Sequence, residues 1–267
     1  FLVVFSAAMA YLWATNRNVD TLTIWLLSIG GFFITGSSNI FNQIIERESD
    51  KLMKRTANRP LAAERMPVSE ALILALILGI SGICILSQIN SICTVLGGGA
   101  MCFYICIYTP LKKITRLAVL PGALAGSLPV IIGYAAATGT ISREVMFLFL
   151  IQFIWQFPHT WSIAWLLNDD YNRAGIKLLP ANGKNKKSAM IIVLSTFLII
   201  PLGLLLYMYE SAGIHVTWML AIAGIIMLIF ASRLFFLRTD RSALGLMLSC
   251  FAYLPFILII LVAEKFL

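Results

Sequence analysis

Residues 71–111 read ALILALILGISGICILSQINSICTVLGGGAMCFYICIYTPL, 41 residues without a charged side chain. A helix rises about 1.5 Å per residue and the hydrocarbon core of a bilayer is about 30 Å thick, so one crossing takes about 20 apolar residues. The run is long enough for two crossings. The polar break Gln88-Ile89-Asn90-Ser91 divides it into a third and a fourth span.

The same reading extends outward in both directions. Residues 21–45, 117–142, 145–168, 188–209, 211–232 and 242–263 are also free of charge. Together with the short start Phe1–Ala14 they predict an all-α polytopic membrane protein of nine transmembrane helices, a single domain over residues 1–267. The chain is 60% hydrophobic and 12% charged. A soluble domain carries about 25% charged residues, and the polar surface that would solvate such a body is missing. The first span is shorter than the others and the first residue is Phe1 rather than Met. The expectation is that the natural chain continues ahead of Phe1.

Basic residues alternate from side to side. Seventeen of the 20 Lys and Arg fall after the second, fourth, sixth and eighth spans; only Arg17, Arg143 and Lys265 lie on the other side. Basic loops stay on the cytoplasmic side, or the matrix side in a mitochondrion, which predicts a cytoplasmic N-terminus and an outer C-terminus. The net charge of +8 follows from this bias, so no nucleic-acid partner is implied. The five cysteines (Cys84, Cys93, Cys102, Cys106, Cys250) lie in or beside apolar spans without metal-type spacing and read as small hydrophobes.

Two of the basic loops are longer than a connection needs and carry acids among the bases. After the second span, Asn42, Glu46 and Asp50 follow at i, i+4 and i+8, one stripe of a helix running toward the aqueous mouth. Two carboxylates and an amide are hard oxygen donors suited to Mg²⁺, and Arg55 and Arg59 follow closely. A cation flanked by Arg and Lys describes a diphosphate site; an ordinary mixed-charge helix end has the same spacing. After the sixth span come Asp169 and Asp170, again just past the membrane, then Arg173, Gly175 and Pro180. Interfacial acids in membrane proteins are functional candidates, although a helix cap and turn would look alike. Tyr108 and Lys112, with Lys113 beside them, can address phosphate oxygens; they also suit the aromatic belt and the basic loop rule. His159 lies within the sixth span among Trp155, Gln156, Pro158 and Trp161, about 14 Å deeper than Asp169 along a straight helix. Haem ligation, proton transfer and an interhelical hydrogen bond all remain open for it, and Pro158 is expected to distort the helix there. His215 reads as a loop residue.

Taken in order, these motifs resemble the UbiA superfamily of intramembrane prenyltransferases, and within it the subgroup that farnesylates protohaem IX. The superfamily pattern Asn-x-x-x-Asp-x-x-x-Asp is met as Asn42, Glu46 and Asp50, with Glu46 for the usual Asp. The subgroup's Met-x-Arg-Thr-x-x-Arg-Pro-Leu is matched by Met53 to Leu61, and its Tyr-Thr-Pro-Leu-Lys-Arg-x-Thr by Tyr108 to Thr115, with Lys113 for Arg. Pro121 to Leu124 match Pro-Gly-Ala-Leu. Trp155 to Trp161 resemble Trp-Gln-Pro-Pro-His-Phe-Trp, with Phe157 and Thr160 as departures. Asp170 to Pro180 resemble the last block, with Lys177 and Leu178 for Pro-Met. Position 174 is Ala where a further acid of the second site would stand, and the Lys-Pro-Arg that usually precedes the first helix is absent.

The resemblance implies a UbiA-type bundle whose central cavity opens to the cytoplasm, in a bacterial inner membrane rather than a mitochondrial one. It implies transfer of the farnesyl group of farnesyl diphosphate to a vinyl group of haem B, giving haem O for haem-copper oxidases, with Mg²⁺ (or Mn²⁺) as cofactor. Contact with a haem A synthase or with oxidase assembly proteins is a further implication. Asn42, Glu46 and Asp50 would hold metal, with Asp169 and Asp170 assisting. Arg55, Arg59, Tyr108, Lys112 and Lys113 would grip diphosphate, and His159, Trp155 and Trp161 would meet haem. A quinone or chlorophyll-like acceptor is less compatible with the Trp-Gln-x-Pro-His block. A transporter would show internal repeats and mid-membrane polar residues, and the sequence has no clear repeat.

Overall fold

The computed structural model describes residues 1–15, 17–209 and 212–266, and among these there is no strand. Nine long helical segments follow the charge-free runs: α1 (Leu2–Ala14), α2 (Thr21–Lys51), α3 (Val68–Ser87), α4 (Ser91–Ile114), α5 (Arg116–Thr138), α6 (Arg143–Leu166), α7 (Lys186–Met208), α8 (Ile214–Leu237) and α9 (Asp240–Phe266). Seven of them are long and apolar enough to cross a membrane. The exceptions are α1, with 13 residues, and α6, whose Gln152, Gln156, Pro158 and His159 dilute its apolar character. On length and composition the expected nine spans therefore stand at seven among the described residues.

Local chemistry sets the boundaries. Asp20 caps α2 by accepting from the backbone N–H groups of Leu22 and Thr23. α3 ends at Ser87, and Asn90 starts α4 by accepting from Cys93 N at 2.9 Å, which is the predicted break. Pro158 sits inside α6 without ending it, so the expected distortion does not interrupt the helix. α4 widens into a π-helical turn at Phe103–Tyr108, just ahead of Pro110. Such turns occur mostly as single widened turns inside α-helices.

Outward faces carry large apolar side chains such as Trp25, Phe32, Ile77 and Ile229, suited to lipid. Inward, polar side chains bind neighbouring helices where apolar packing alone gives little direction. Ser37 donates to Ala75 O at 2.7 Å, Gln152 to Gly126 O at 2.8 Å and Trp155 Nε1 to Cys250 O at 3.0 Å. α1 packs so closely on α5 that a Cβ added at Gly133 would collide with the backbone carbonyl of Ala7.

The four basic loops meet at one end of the bundle. Arg173 Nε donates to Leu52 O at 3.2 Å, Lys177 N to Lys112 O at 2.9 Å, and Lys184 Nζ bonds Asp240 Oδ1 at 2.7 Å. At the other end Arg17 Nε donates to Lys265 O at 3.1 Å and Gly213 N to Glu264 at 2.7 Å. Single cysteines at Glu64, Arg116 and Arg238 should therefore react with an impermeant maleimide from one side of sealed vesicles, and one at Thr140 from the other. Mixed labelling of the first three would contradict this arrangement.

Candidate active site

Asn42, Glu46 and Asp50 lie on the last turns of α2 and are all buried, whereas Ile45, Arg47 and Glu48 beside them are exposed. The predicted stripe thus turns inward. It lies on the continuous helix itself and not in the loop that follows. Each acid is held by a cation from a different segment. Lys112 Nζ, from the end of α4, reaches Glu46 Oε2 at 2.5 Å. Arg59, from the loop after α2, reaches Asp50 Oδ2 at 2.8 Å. That loop folds back over the helix end: Met53, Thr56 and Leu61 are buried, and Thr56 Oγ1 donates to Asp50 O at 3.1 Å.

One oxygen of each acid remains without a partner: Glu46 Oε1 and Asp50 Oδ1 are buried and unbonded. A buried carboxylate oxygen without a donor is costly, and a hard cation is the partner that would satisfy it. Asn42 Nδ2 donates to Glu46 Oε2 at 3.1 Å and to Thr109 Oγ1 at 3.2 Å. No group of three or more His, Cys, Asp or Glu placed for a metal occurs among the described residues. The donor set is two carboxylates and an amide, which fits Mg²⁺, an ion that retains several water or substrate oxygens.

The other predicted residues divide. Asp170 accepts from Arg55 N at 3.4 Å and pairs with Arg173, tying the Asn168–Arg173 helix to the loop after α2. Asp169 is exposed, and a 3.5 Å contact from Asn168 is its one polar contact among the described residues. The straight-helix estimate of depth ends at Leu166, because the backbone breaks at Leu167 before that short helix. Burial pushes the phenol of Tyr171 up, against the pull of the nearby Arg55 charge, and keeps it a proton donor. Lys112 lies over the Tyr108 ring, 5.3 Å from its centroid, while Lys113 is exposed without an ion pair among the described residues.

Beneath the charged mouth is a mostly apolar cavity of about 570 Å³. Its polar lining includes Ser38 and Asn39 of α2, Tyr104 and Tyr108 of α4, and Gln156 and His159 of α6. Tyr108 belongs to both regions. His159 stacks on Trp155 at 4.6 Å and meets the edge of Phe251 at 5.0 Å, which holds the imidazole ring in place. Trp161 packs against Phe157 at 5.3 Å and is not on the cavity wall.

The sequence profile of the UbiA prenyltransferase family matches residues 3–257. The chain is 43% identical over 265 residues to the protoheme IX farnesyltransferase of Cytophaga hutchinsonii, covering 98% of this chain and 93% of that one. It is 41% identical to the protein of the same name from Flavobacterium psychrophilum, covering 99% and 90%. Among solved structures, that of a digeranylgeranylglyceryl phosphate synthase superposes with a TM-score of 0.82 at 19% identity, over 98% of this chain and 92% of that one. A UbiA homolog from Archaeoglobus fulgidus bound to GPP and Mg²⁺ superposes with a TM-score of 0.73 at 15% identity, over 97% and 95%. At these identities the structures speak to the fold.

Removing one partner of a buried ion pair leaves a charge without compensation. Lys112→Met should destabilise the protein by about 3–5 kcal/mol. Adding Glu46→Gln should recover much of that loss, because no buried charge is then stranded. Unfolding in mixed micelles measures both; equal stability of wild type and Lys112→Met would rule out a strong pair.

Proposed function

The chain belongs to the UbiA prenyltransferase family, and we propose that it transfers the farnesyl group of farnesyl diphosphate to a vinyl group of haem B, giving haem O. The observation that carries the reading is a buried stripe of oxygen donors, held by Lys112 and Arg59, above an apolar cavity. Relatives more than 40% identical over nearly the whole chain bear the name of that activity.

Asn42, Glu46 and Asp50 would hold Mg²⁺, whose chemistry when bound is to draw charge from the diphosphate leaving group. The solved structures of relatives with GPP and Mg²⁺, and with DMAPP and Mg²⁺, support a divalent ion; Mn²⁺ would serve the same donors. Lys112 and Arg59, which pair with those carboxylates, would also meet phosphate oxygens when diphosphate is bound. Arg55 and Tyr108 line the same mouth, with Lys113 at its exposed edge. Asp170 acts by holding the Arg55 segment, and Asp169 as an accessory acid at the rim. The allylic C–O bond breaks with its electron pair leaving on diphosphate. The vinyl carbon of haem then bonds to C1 of the farnesyl cation, and water adds to the resulting cation with loss of a proton. The apolar wall keeps other water from the farnesyl cation.

Asp50→Asn should abolish haem O formation in membranes while the protein remains folded, and EDTA should do the same to wild type. Near-normal turnover of the variant at saturating Mg²⁺ would remove the metal assignment.

His159 and Trp155 are the proposed haem contacts, because both line the cavity away from the charged mouth. Trp161 would then act only indirectly, since it packs on Phe157 off the cavity wall. The N-terminus is proposed to be cytoplasmic and the C-terminus outside, in a bacterial inner membrane, with the mouth facing the cytoplasm. Delivery of haem O onward would involve a haem A synthase or oxidase assembly protein. His159→Ala should weaken haem B binding and leave farnesyl diphosphate binding unchanged. Unchanged haem affinity would exclude the haem role, and loss of both would indicate a folding role.

A further inference from the structure

We propose that Thr109 is a positioning residue that fixes which atom of Asn42 faces the metal and diphosphate, an inference resting on the reading of Asn42 as an oxygen donor. The chain of constraint begins in the backbone. In the π-helical turn of α4 the N–H of Thr109 reaches back five residues to Tyr104 O. The Thr109 hydroxyl donates to the same carbonyl at 2.8 Å. A hydroxyl has one proton to give, and this bond uses it, so toward any other neighbour Thr109 Oγ1 can only accept.

That neighbour is Asn42, 67 residues earlier in the chain. Thr109 is fully buried against α2, and Asn42 Nδ2 lies 3.2 Å from its hydroxyl oxygen. The second proton of the amide goes to Glu46 Oε2 at 3.1 Å. A carboxylate accepts and does not donate, so both neighbours require the NH₂ end of Asn42. The amide oxygen is thereby turned away from both, and no hydrogen bond to it occurs among the described residues. Removing the acceptor at position 109 would leave a buried amide proton unbonded and the amide held at its NH₂ end by Glu46 alone.

This role differs from helix packing, because valine has the same shape as threonine and lacks only the hydroxyl. Groups that orient a metal ligand typically change metal affinity about 10–100-fold when removed. The measurement uses the purified full chain in lipid nanodiscs with Mn²⁺ and inorganic diphosphate, the unbound ion being followed by electron paramagnetic resonance, with no turnover involved. Thr109→Val should bind Mn²⁺ about 10–100-fold more weakly than wild type while remaining folded. Thr109→Ser should bind like wild type. In an Asn42→Ala background Thr109→Val should cause no further loss. Equal Mn²⁺ affinity of wild type and Thr109→Val, or equal weakness of the Ser and Val variants, would overturn the inference while leaving the metal reading intact. Absence of saturable Mn²⁺ binding by wild type would overturn both. If the valine variant does not fold, Thr109→Ala against Thr109→Ser decides by the same criteria.

Discussion

Two carboxylates buried at the end of one helix impose the central constraint on this molecule. Glu46 and Asp50 are each almost fully withdrawn from water, and such charges are tolerated only with close partners. Their partners come from distant parts of the chain, Lys112 from the end of α4 and Arg59 from the loop after α2. The pairing draws those segments over the end of α2. The backbone bond from Lys177 to Lys112 and the contacts of Asp170 and Arg173 then join the loop after α6 to the same cluster. The mouth of the bundle is thus organised by electrostatics, while the body is organised by packing.

This division suits a substrate in which a highly charged leaving group is attached to an apolar chain. Phosphate chemistry needs fixed positive charge and water nearby; an allylic cation needs water kept away. In this chain α2 reaches both environments, since Asn39, one helical turn before the buried Asn42, already lines the apolar cavity. Tyr108 does likewise on α4, with its ring under the Lys112 ammonium and on the cavity wall. The transition between the two environments takes about one turn of helix.

Span positions were legible because a charge inside a bilayer is costly, so charge-free runs mark the helices with little dependence on context. The Asn42–Glu46–Asp50 stripe was legible for a similar reason: a spacing of four is a property of one helix and needs no partner. What could not be read depends on contacts between elements. Lys112 was a candidate for phosphate, but nothing in the sequence pairs it with Glu46. The same holds for Arg59 and Asp50. Trp161 looked equivalent to Trp155, and only the packing of α6 puts one on the cavity and the other against Phe157. The π-helical turn has no charge pattern; its one local sign is Pro110, which also suits an ordinary helix. Thr109 was passed over because its role rests on a contact with Asn42, 67 residues earlier in the chain.

The contact of α1 with α5 has a consequence for how this sequence can drift. The backbone carbonyl of Ala7 occupies the place where position 133 would carry its first side-chain atom, and Ala7 also lines the cavity. Every missense change of a glycine codon adds at least that atom. Position 133 therefore has no mild replacement: a variant either moves α1 and reshapes the cavity wall with it, or is lost. At this crossing the shape of the cavity is inherited as the absence of a single carbon.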